Sequence, residues 1–199
     1  MKTLLTTHNS KLGEFIPCFN IPVLSTCPGK TPLCKVYCYA RRHHYAMKSI
    51  KNKLRYNLCH SKKPEFVDRI ITEIKGYHYF VQSKGGVLNR IRLHSSGDFY
   101  NQDYLNKWIY IARQFPEINF TGYTRSYMLD FSDLPANLIL FYSTDKTTRK
   151  FPQQSMRRAY IAHARDINLY RGFPVCSSKC YKCRKCYTQS TQNILFKVH

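Results

Sequence analysis

Acidic side chains are scarce in this chain. Aspartate and glutamate number 11 against 32 lysines and arginines, leaving a formal charge of +21. So large an excess cannot be neutralised on the protein's own surface, and it points to a polyanionic partner, most simply a nucleic acid. Long apolar runs are also missing. No stretch approaches the roughly 18 apolar residues that a membrane-spanning helix needs, so no membrane partner is expected. The opening MKTLLTTHNSKLG has no apolar signal-peptide core, so nothing marks the chain for export and a cytoplasmic location is expected. Internal repeats and low-complexity linkers are absent as well, which excludes a solenoid and a string of tethered domains. With 43% hydrophobic and 15% aromatic residues over 199 positions, the chain has the means to bury a core of its own.

Cysteine, by contrast, is plentiful and unevenly spread. Seven of the nine cysteines fall into two sets. Cys27, Cys34 and Cys38 lie in CPGKTPLCKVYCYA with C-x6-C-x3-C spacing; Cys176, Cys180, Cys183 and Cys186 lie in CSSKCYKCRKC with C-x3-C-x2-C-x2-C spacing. In a chain not marked for secretion, clustered cysteines read as metal ligands rather than disulfides. Structural centres take four protein ligands, whereas working centres keep a position open. The complete set therefore reads as a structural or auxiliary centre and the incomplete set as a working one. Each set suits a [4Fe–4S] cluster, giving one or two in all. Zinc is the alternative metal, completed at the first set by His43, His44 or another histidine. Cys18 and Cys59 stand alone and read as small buried residues.

Between the two sets the pattern is α/β. EFIPCFNIPVL reads as strand or loop, residues 40–58 as a basic helix, and residues 64–80 as a helix with Phe66, Val67, Ile70, Ile71 and Ile74 on one face. NRIRLHSSGDF, INFTGYTRS and NLILFYSTD read as strands, with an amphipathic helix through Tyr104, Leu105, Trp108, Ile109 and Ala112 after the first; AYIAHA, FPVC and ILFKVH are further short strand candidates. Strands separated by helices imply parallel βα units. The expected fold is α/β: a partial (β/α) barrel-like parallel sheet over residues 1–170, with a cysteine-rich metal-binding segment over 171–199. The three clear strands end in His94-Ser95-Ser96-Gly97-Asp98, Tyr123-Thr124-Arg125-Ser126 and Ser143-Thr144-Asp145. Ligands of parallel sheets bind at carboxyl ends of strands, so these turns are expected to converge on one site. Asp98 or Asn101 is placed to cap the following helix. Basic residues interleave with aromatics around Arg41, Arg42, Lys48, Lys51, Lys53 and Arg55, a composition suited to phosphates and unpaired bases.

The order cysteine loop, helix, strand, Ser96-Gly97-Asp98 turn, helix, strand resembles the opening of radical S-adenosylmethionine enzymes. Their usual cysteine spacing is C-x3-C-x2-C and their turn carries two glycines, where this chain has one. The resemblance implies a catalytic cluster on Cys27, Cys34 and Cys38 and S-adenosylmethionine contacts from Ser95, Ser96, Gly97, Asp98, Tyr123 and Ser143. Asp98, Arg125 and Asp145 would then be the catalytic side chains, and an external electron donor would be required. Over nearly the whole chain, NSKLG at residues 9–13, CPGKTPLCKVYCYA, RLHSSGDF, Tyr104, Trp108, YTRS and the C-terminal cysteines resemble the phage Gene product 88 family. That likeness implies a phage or mobile-element origin and work in the cytoplasm of a host cell. Two functions follow: an iron–sulfur enzyme of radical S-adenosylmethionine type acting on a nucleic acid or nucleotide, or a nucleic-acid binder whose zinc or iron–sulfur centres are structural.

Overall fold

The computed structural model describes residues 2–183, 185–188 and 193–197, excepting the side chains of residues 43, 164 and 165. Six strands form one sheet: β1 Cys18–Phe19, β2 Arg90–Leu93, β3 Asn119–Thr124, β4 Leu138–Thr144, β5 Arg157–Ala162 and β6 Asn193–Lys197. They lie in sequence order and every neighbouring pair is parallel, with β1 and β6 at the edges. The fold is thus mixed α/β. The cysteine-rich end of the chain contributes β6 to this sheet, and Val175 forms a single bridge to Leu195 where FPVC was read as a strand. The final two residues of ILFKVH lie outside the described residues.

Side chains alternate across the strands, and the alternation divides the two faces. Phe19, Ile91, Leu93, Phe120, Leu138 and Leu140 point into the main core, under α2 Lys48–Ser61, α3 Phe66–Ser83 and α4 Gln102–Arg113. Trp108 is fully buried there, with its ring centroid 5.2 Å from Phe19 and 5.7 Å from Phe66, both edge-on. Edge-on contact sets the positive rim of one ring against the negative face of the next, as aromatic quadrupoles favour. The expected faces of α3 and α4 are the buried ones: Phe66, Ile70 and Ile74 on one, Tyr104, Leu105, Trp108, Ile109 and Ala112 on the other. Asn101 caps α4, its Oδ1 accepting from the Tyr104 N–H at 3.0 Å. The opposite face carries Cys18, Arg90, Arg92, Thr121, Tyr123, Ile139, Phe141, Ala159 and Ile194, and the C-terminal cysteine segment packs against it.

Three expectations need correction. The basic helix begins only at Lys48: residues 39–46 form two short 3₁₀ turns, because Arg42 and Met47 take extended backbone. Cys59 is exposed, not buried, since it lies on the outer face of α2; Cys18 is buried as expected. Helices do not separate β3 from β4 or β4 from β5. Those links, residues 125–137 and 145–156, are rich in Ser, Asp, Thr and Pro, which favour side-chain-capped turns over helix; Asp130 Oδ1, for example, accepts from Ser132 N at 2.9 Å.

Candidate functional site

The ends of β2, β3 and β4 meet in a buried polar network. The Asp98 carboxylate accepts from the backbone N–H of Arg125 at 2.8 Å and of Phe99 at 2.7 Å. The Arg125 guanidinium pairs with Asp145 Oδ2 at 2.8 Å, both side chains lying below a tenth exposed. Asp145 Oδ1 also accepts from Thr147 N at 2.8 Å and Thr147 Oγ1 at 2.6 Å. Burial pushes the Asp98 carboxyl up to about 6, against the pull of its own hydrogen bonds. For Asp145 burial acts in the same sense, but Thr147, Thr31 and Arg125 together win and the net shift is downward. Asp98 and Asp145 are therefore both tied to Arg125, the first to its backbone N–H and the second to its guanidinium.

The first cysteine loop is seated on this floor by close approaches that only particular residues permit. Gly29 lies directly on the backbone of Arg125, so that a Cβ there would fall inside the carbonyl oxygen. Gly97 holds φ +88°, and a Cβ there would sit 2.8 Å from the Ile21 carbonyl oxygen and 3.0 Å from Thr26 Oγ1. Positive φ and absent space both select glycine. Thr31 does two jobs. Its hydroxyl donates to Asp145 Oδ2 at 2.7 Å and accepts from Cys34 N at 3.1 Å, capping α1 Pro32–Tyr37. Ser96 Oγ donates to the Ile21 carbonyl at 2.9 Å, and the Tyr39 hydroxyl donates to the Ser95 carbonyl.

Burial pushes the Cys27 thiol up to about 12, helped by Asp98, Cys34 and Cys38. Cys34 is raised by burial and eased by Arg125; Cys38 is raised by burial and eased by the Ala40 backbone and Arg41. All three are partly buried. A bound cation would reverse this preference for the neutral thiol, because metal-held sulfur is deprotonated outright. Among the described residues, no group of three or more histidine, cysteine or acidic side chains is placed to hold a metal ion. His43, offered above as a completing ligand, lies outside the described side chains, and the His44 ring packs on Tyr45 at 4.1 Å.

The second set sits elsewhere, on the face of the sheet away from the helices. The Tyr123 hydroxyl donates to Cys186 Sγ at 2.8 Å, so this residue serves the second set rather than the strand-end turn. Cys176 and Cys186 pack beside Phe141, Ile139 and Ile194, and Cys180 beside Leu12, Ile16 and Cys18. The Cys180 N–H donates to the Lys11 carbonyl at 2.9 Å. Burial raises the Cys180 thiol and pushes Cys186 up to about 11. Ser143 is buried in β4, in register with Ala159 of β5.

A family-model comparison matches the Gene product 88 model over residues 2–193. The chain belongs to the Gene product 88 family. Curated relatives include the Gene 88 proteins of Mycobacterium phage D29, 27% identical over 126 residues, and of Mycobacterium phage L5, 26% identical over 125. Each match takes in 60% of this chain and 52% of the relative, so the chain spans about half the length of the curated relatives it matches. No solved structure matches the chain. The geometry gives a reason for the NSKLG segment of this family member. Asn9 Oδ1 accepts from Lys11 N at 3.0 Å to form a turn, the Lys11 carbonyl anchors Cys180, and Gly13 at φ +88° lies against the Tyr181 side chain.

The six cations read as a nucleic-acid surface divide in two. Lys48, Lys51 and Arg55 are exposed and follow helical spacing on α2. Arg41 and Arg42, also exposed, donate to the carbonyls of Lys35 at 2.7 Å and Val36 at 3.3 Å, bracing the end of α1. Lys53 donates to the Thr3 carbonyl. Gly29, Thr31, Tyr39 and Arg92 were missed by sequence reasoning. Thr31 was the most accessible of these, as a threonine directly before Pro32 is a helix-start signature. No helix among the described residues is long and apolar enough to cross a membrane.

Proposed function

We propose that this Gene product 88 family member is an iron–sulfur enzyme of radical S-adenosylmethionine-like type that acts on a nucleic acid or nucleotide. The observation that carries the reading is the seat of the three-cysteine loop, docked through Gly29 and Thr31 onto Arg125 and Asp145 at the carboxyl ends of parallel strands. Such strand ends are where parallel α/β proteins bind ligands. Cys27, Cys34 and Cys38 would hold the cluster after turning inward, and the donor chemistry fits: three partly buried thiols beside one guanidinium. Cluster and S-adenosylmethionine together supply one-electron chemistry that side chains lack. The chain's own residues do the positioning. Asp98 fixes the first residue after β3, the Arg125–Asp145 pair holds the floor rigid, and Thr31 ties α1 to that floor. The charge of +21 supports a polyanionic substrate.

The alternative is a nucleic-acid binder with structural zinc or iron–sulfur centres. One observation favours it: the Asp98 carboxylate is taken up by backbone N–H groups and the Arg125 guanidinium by Asp145, contacts that a purely structural role accounts for. Iron, acid-labile sulfide and zinc measured on anaerobically purified protein separate the two. The enzyme reading expects about four irons and four sulfides for each cluster, followed by cleavage of S-adenosylmethionine on reduction. Zinc without sulfide would overturn it.

A further inference from the structure

Arg92 stands in an unusual place. It lies on β2, pointing away from the helices into the face against which the C-terminal cysteines pack. Its guanidinium stacks 4.2 Å from the centroid of the Tyr123 ring, and the hydroxyl of that same tyrosine donates to Cys186 Sγ at 2.8 Å. Its Nε is shielded from solvent and has no hydrogen-bond partner among the described residues. The ion pairs among those residues provide no carboxylate for it either: they involve Lys63, Arg69, Arg113 and Arg125.

A guanidinium cannot shed its proton in a protein. Arg92 is half-buried with its Nε fully shielded, and a guanidinium drawn out of water in this way is ordinarily met by a carboxylate or replaced by an apolar side chain. Here neither is done. What lies beside Arg92 instead is sulfur and phenol: Cys186 through Tyr123, and Cys18, its register partner on β1, in one packed cluster with Cys180 and Tyr187. Neutral thiols and phenols do not balance a cation. Thiolates do, and four thiolates around a divalent metal or a cubane cluster retain a net negative charge after the metal is counted.

We propose that Cys176, Cys180, Cys183 and Cys186 form an anionic metal–thiolate centre on the face of the sheet away from the helices, with Arg92 as its built-in counter-cation and Tyr123 as the hydrogen-bond donor that orients Cys186. This rests on the thiolate-centre reading above, but concerns the second set of cysteines and not the strand-end site. Arg92 is a positioning and charge-balancing residue. It touches no substrate and adds no ligand.

The test uses the full-length protein, purified without oxygen, as wild type, Arg92→Met and Arg92→Lys. Metal is challenged with a chelator, and alkylation of the peptides carrying Cys176 to Cys186 is followed by mass spectrometry. Arg92→Met is expected to expose those thiols about tenfold faster, the size of effect typical of losing a residue behind a metal ligand; Arg92→Lys should stay near wild type. Metal-free protein supplies a second readout with the opposite sign. Without metal, Arg92→Met should melt at the same temperature as wild type or higher, since an uncompensated cation has been removed; with metal, it should melt lower. A metal-free Arg92→Met that melts lower or does not fold would overturn the proposal, because the cation would then be needed without its anion. Equal chelator resistance of Arg92→Met and wild type would overturn it too, while leaving the strand-end reading intact. Wild type whose C-terminal thiols alkylate freely with no metal to lose would sink this centre itself, and metal held only by Cys27, Cys34 and Cys38 would separate that result from failure of the strand-end site.

Discussion

Gly29→Ala tests whether the first cysteine loop is really seated on β3. The new methyl group would land on the Arg125 carbonyl oxygen and 3.2 Å from Arg125 Cβ. Gly29 has no positive φ, so backbone strain contributes nothing and the whole effect is contact. Arg125 cannot retreat. Its N–H is held by Asp98 at 2.8 Å, its guanidinium by Asp145 at 2.8 Å, and its carbonyl accepts from Tyr127 N at 2.8 Å. The loop must therefore move, and it gives up the Thr31–Asp145 hydrogen bond of 2.7 Å, which is made to a charged group. Such a bond contributes about 1.5–3 kcal/mol, and overpacking relieved by displacement costs about 1–3 kcal/mol. Local opening of the loop should become easier by about 2–4 kcal/mol, or roughly 30- to 1,000-fold in population. The assay is the modification rate of Cys27 and Cys34 in metal-free protein, counted by mass, beside a urea melt. Gly76→Ala is the control: nothing lies within 4 Å of its Cβ position in α3, and it should stabilise by about 1 kcal/mol. Unchanged protection of Cys27 and Cys34 in Gly29→Ala would refute the seating.

Three further outcomes can be checked. Arg125→Met or Asp145→Asn alone should destabilise by about 3–5 kcal/mol, since each leaves a buried partner unpaired, whereas Arg125→Met with Asp145→Leu should recover part of the loss in a urea melt. Stability against pH should show two opposed groups. Burial lowers His94 to about 3 from 6.5, so the unfolded chain takes up its proton first and stability is lost as pH falls from 6.5 towards 3. Asp98 is raised to about 6 from 3.8, so its contribution is present below 3.8 and lost as pH rises through 6. The two offset one another between pH 3.8 and 6. His94→Gln should unmask the Asp98 slope, with urea midpoints falling as pH rises through that window; identical profiles for variant and wild type would count against it. Finally, neutralising Lys48, Lys51 and Arg55 together should lower the salt dependence of single-strand binding by about two in log–log slope, at roughly 0.7 per phosphate contact. Filter binding across a salt series reads this directly, and an unchanged slope would remove α2 from the interface.

Much of the architecture was legible because it rests on local rules. The spacing of Phe66, Ile70 and Ile74, and of Tyr104, Leu105 and Trp108, is a helical stripe, and helical stripes are buried. Strand-end polarity at Asp98, Arg125 and Asp145 was likewise visible, since polar residues after an apolar run mark the end of a strand. What was not legible depends on contacts far apart in sequence. Nothing in CPG says that Gly29 meets Arg125, and nothing in RIRL says that Arg92 looks toward sulfur rather than solvent. Tyr123 was assigned by its place in the chain to the strand-end turn. One step of strand alternation sends its side chain to the other face, where Cys186 waits. The helix expected through residues 40–58 failed for a more local reason. Arg41 and Arg42 turn back to cap the carbonyls of α1, a use of arginine that composition alone cannot distinguish from phosphate binding.

The two sulfur sets differ most in what surrounds them, and the difference argues for different work. All seven clustered cysteines are half-buried, but the first set has the wider apolar rim: Val36, Tyr37, Tyr39 and Met47, all within ten residues of Cys38, are each more than two-fifths exposed, against Val175 and Tyr181 beside the second. Apolar and aromatic surface left in water beside a polar, rigid floor is what an incoming partner covers. The second set lies against the face of the sheet away from the helices, beside Phe141, Ile139 and Tyr123, with Arg92 stacked on that tyrosine. A partner cannot reach that face without displacing the segment that supplies the thiols. If both sets were structural, there would be no reason to seat one of them on a floor built from an Asp–Arg–Asp network and leave its rim bare. The other set is instead packed against β3, β4 and the NSKLG turn, where Tyr123 donates to Cys186 and the Lys11 carbonyl accepts from Cys180. On the proposed reading, the first set would meet a partner and the second would hold the closing strand of the sheet in place. Loss of the second should then unravel β6, which Cys176 anchors through its N–H to the Leu195 carbonyl at 2.8 Å, before it disturbs the strand-end site.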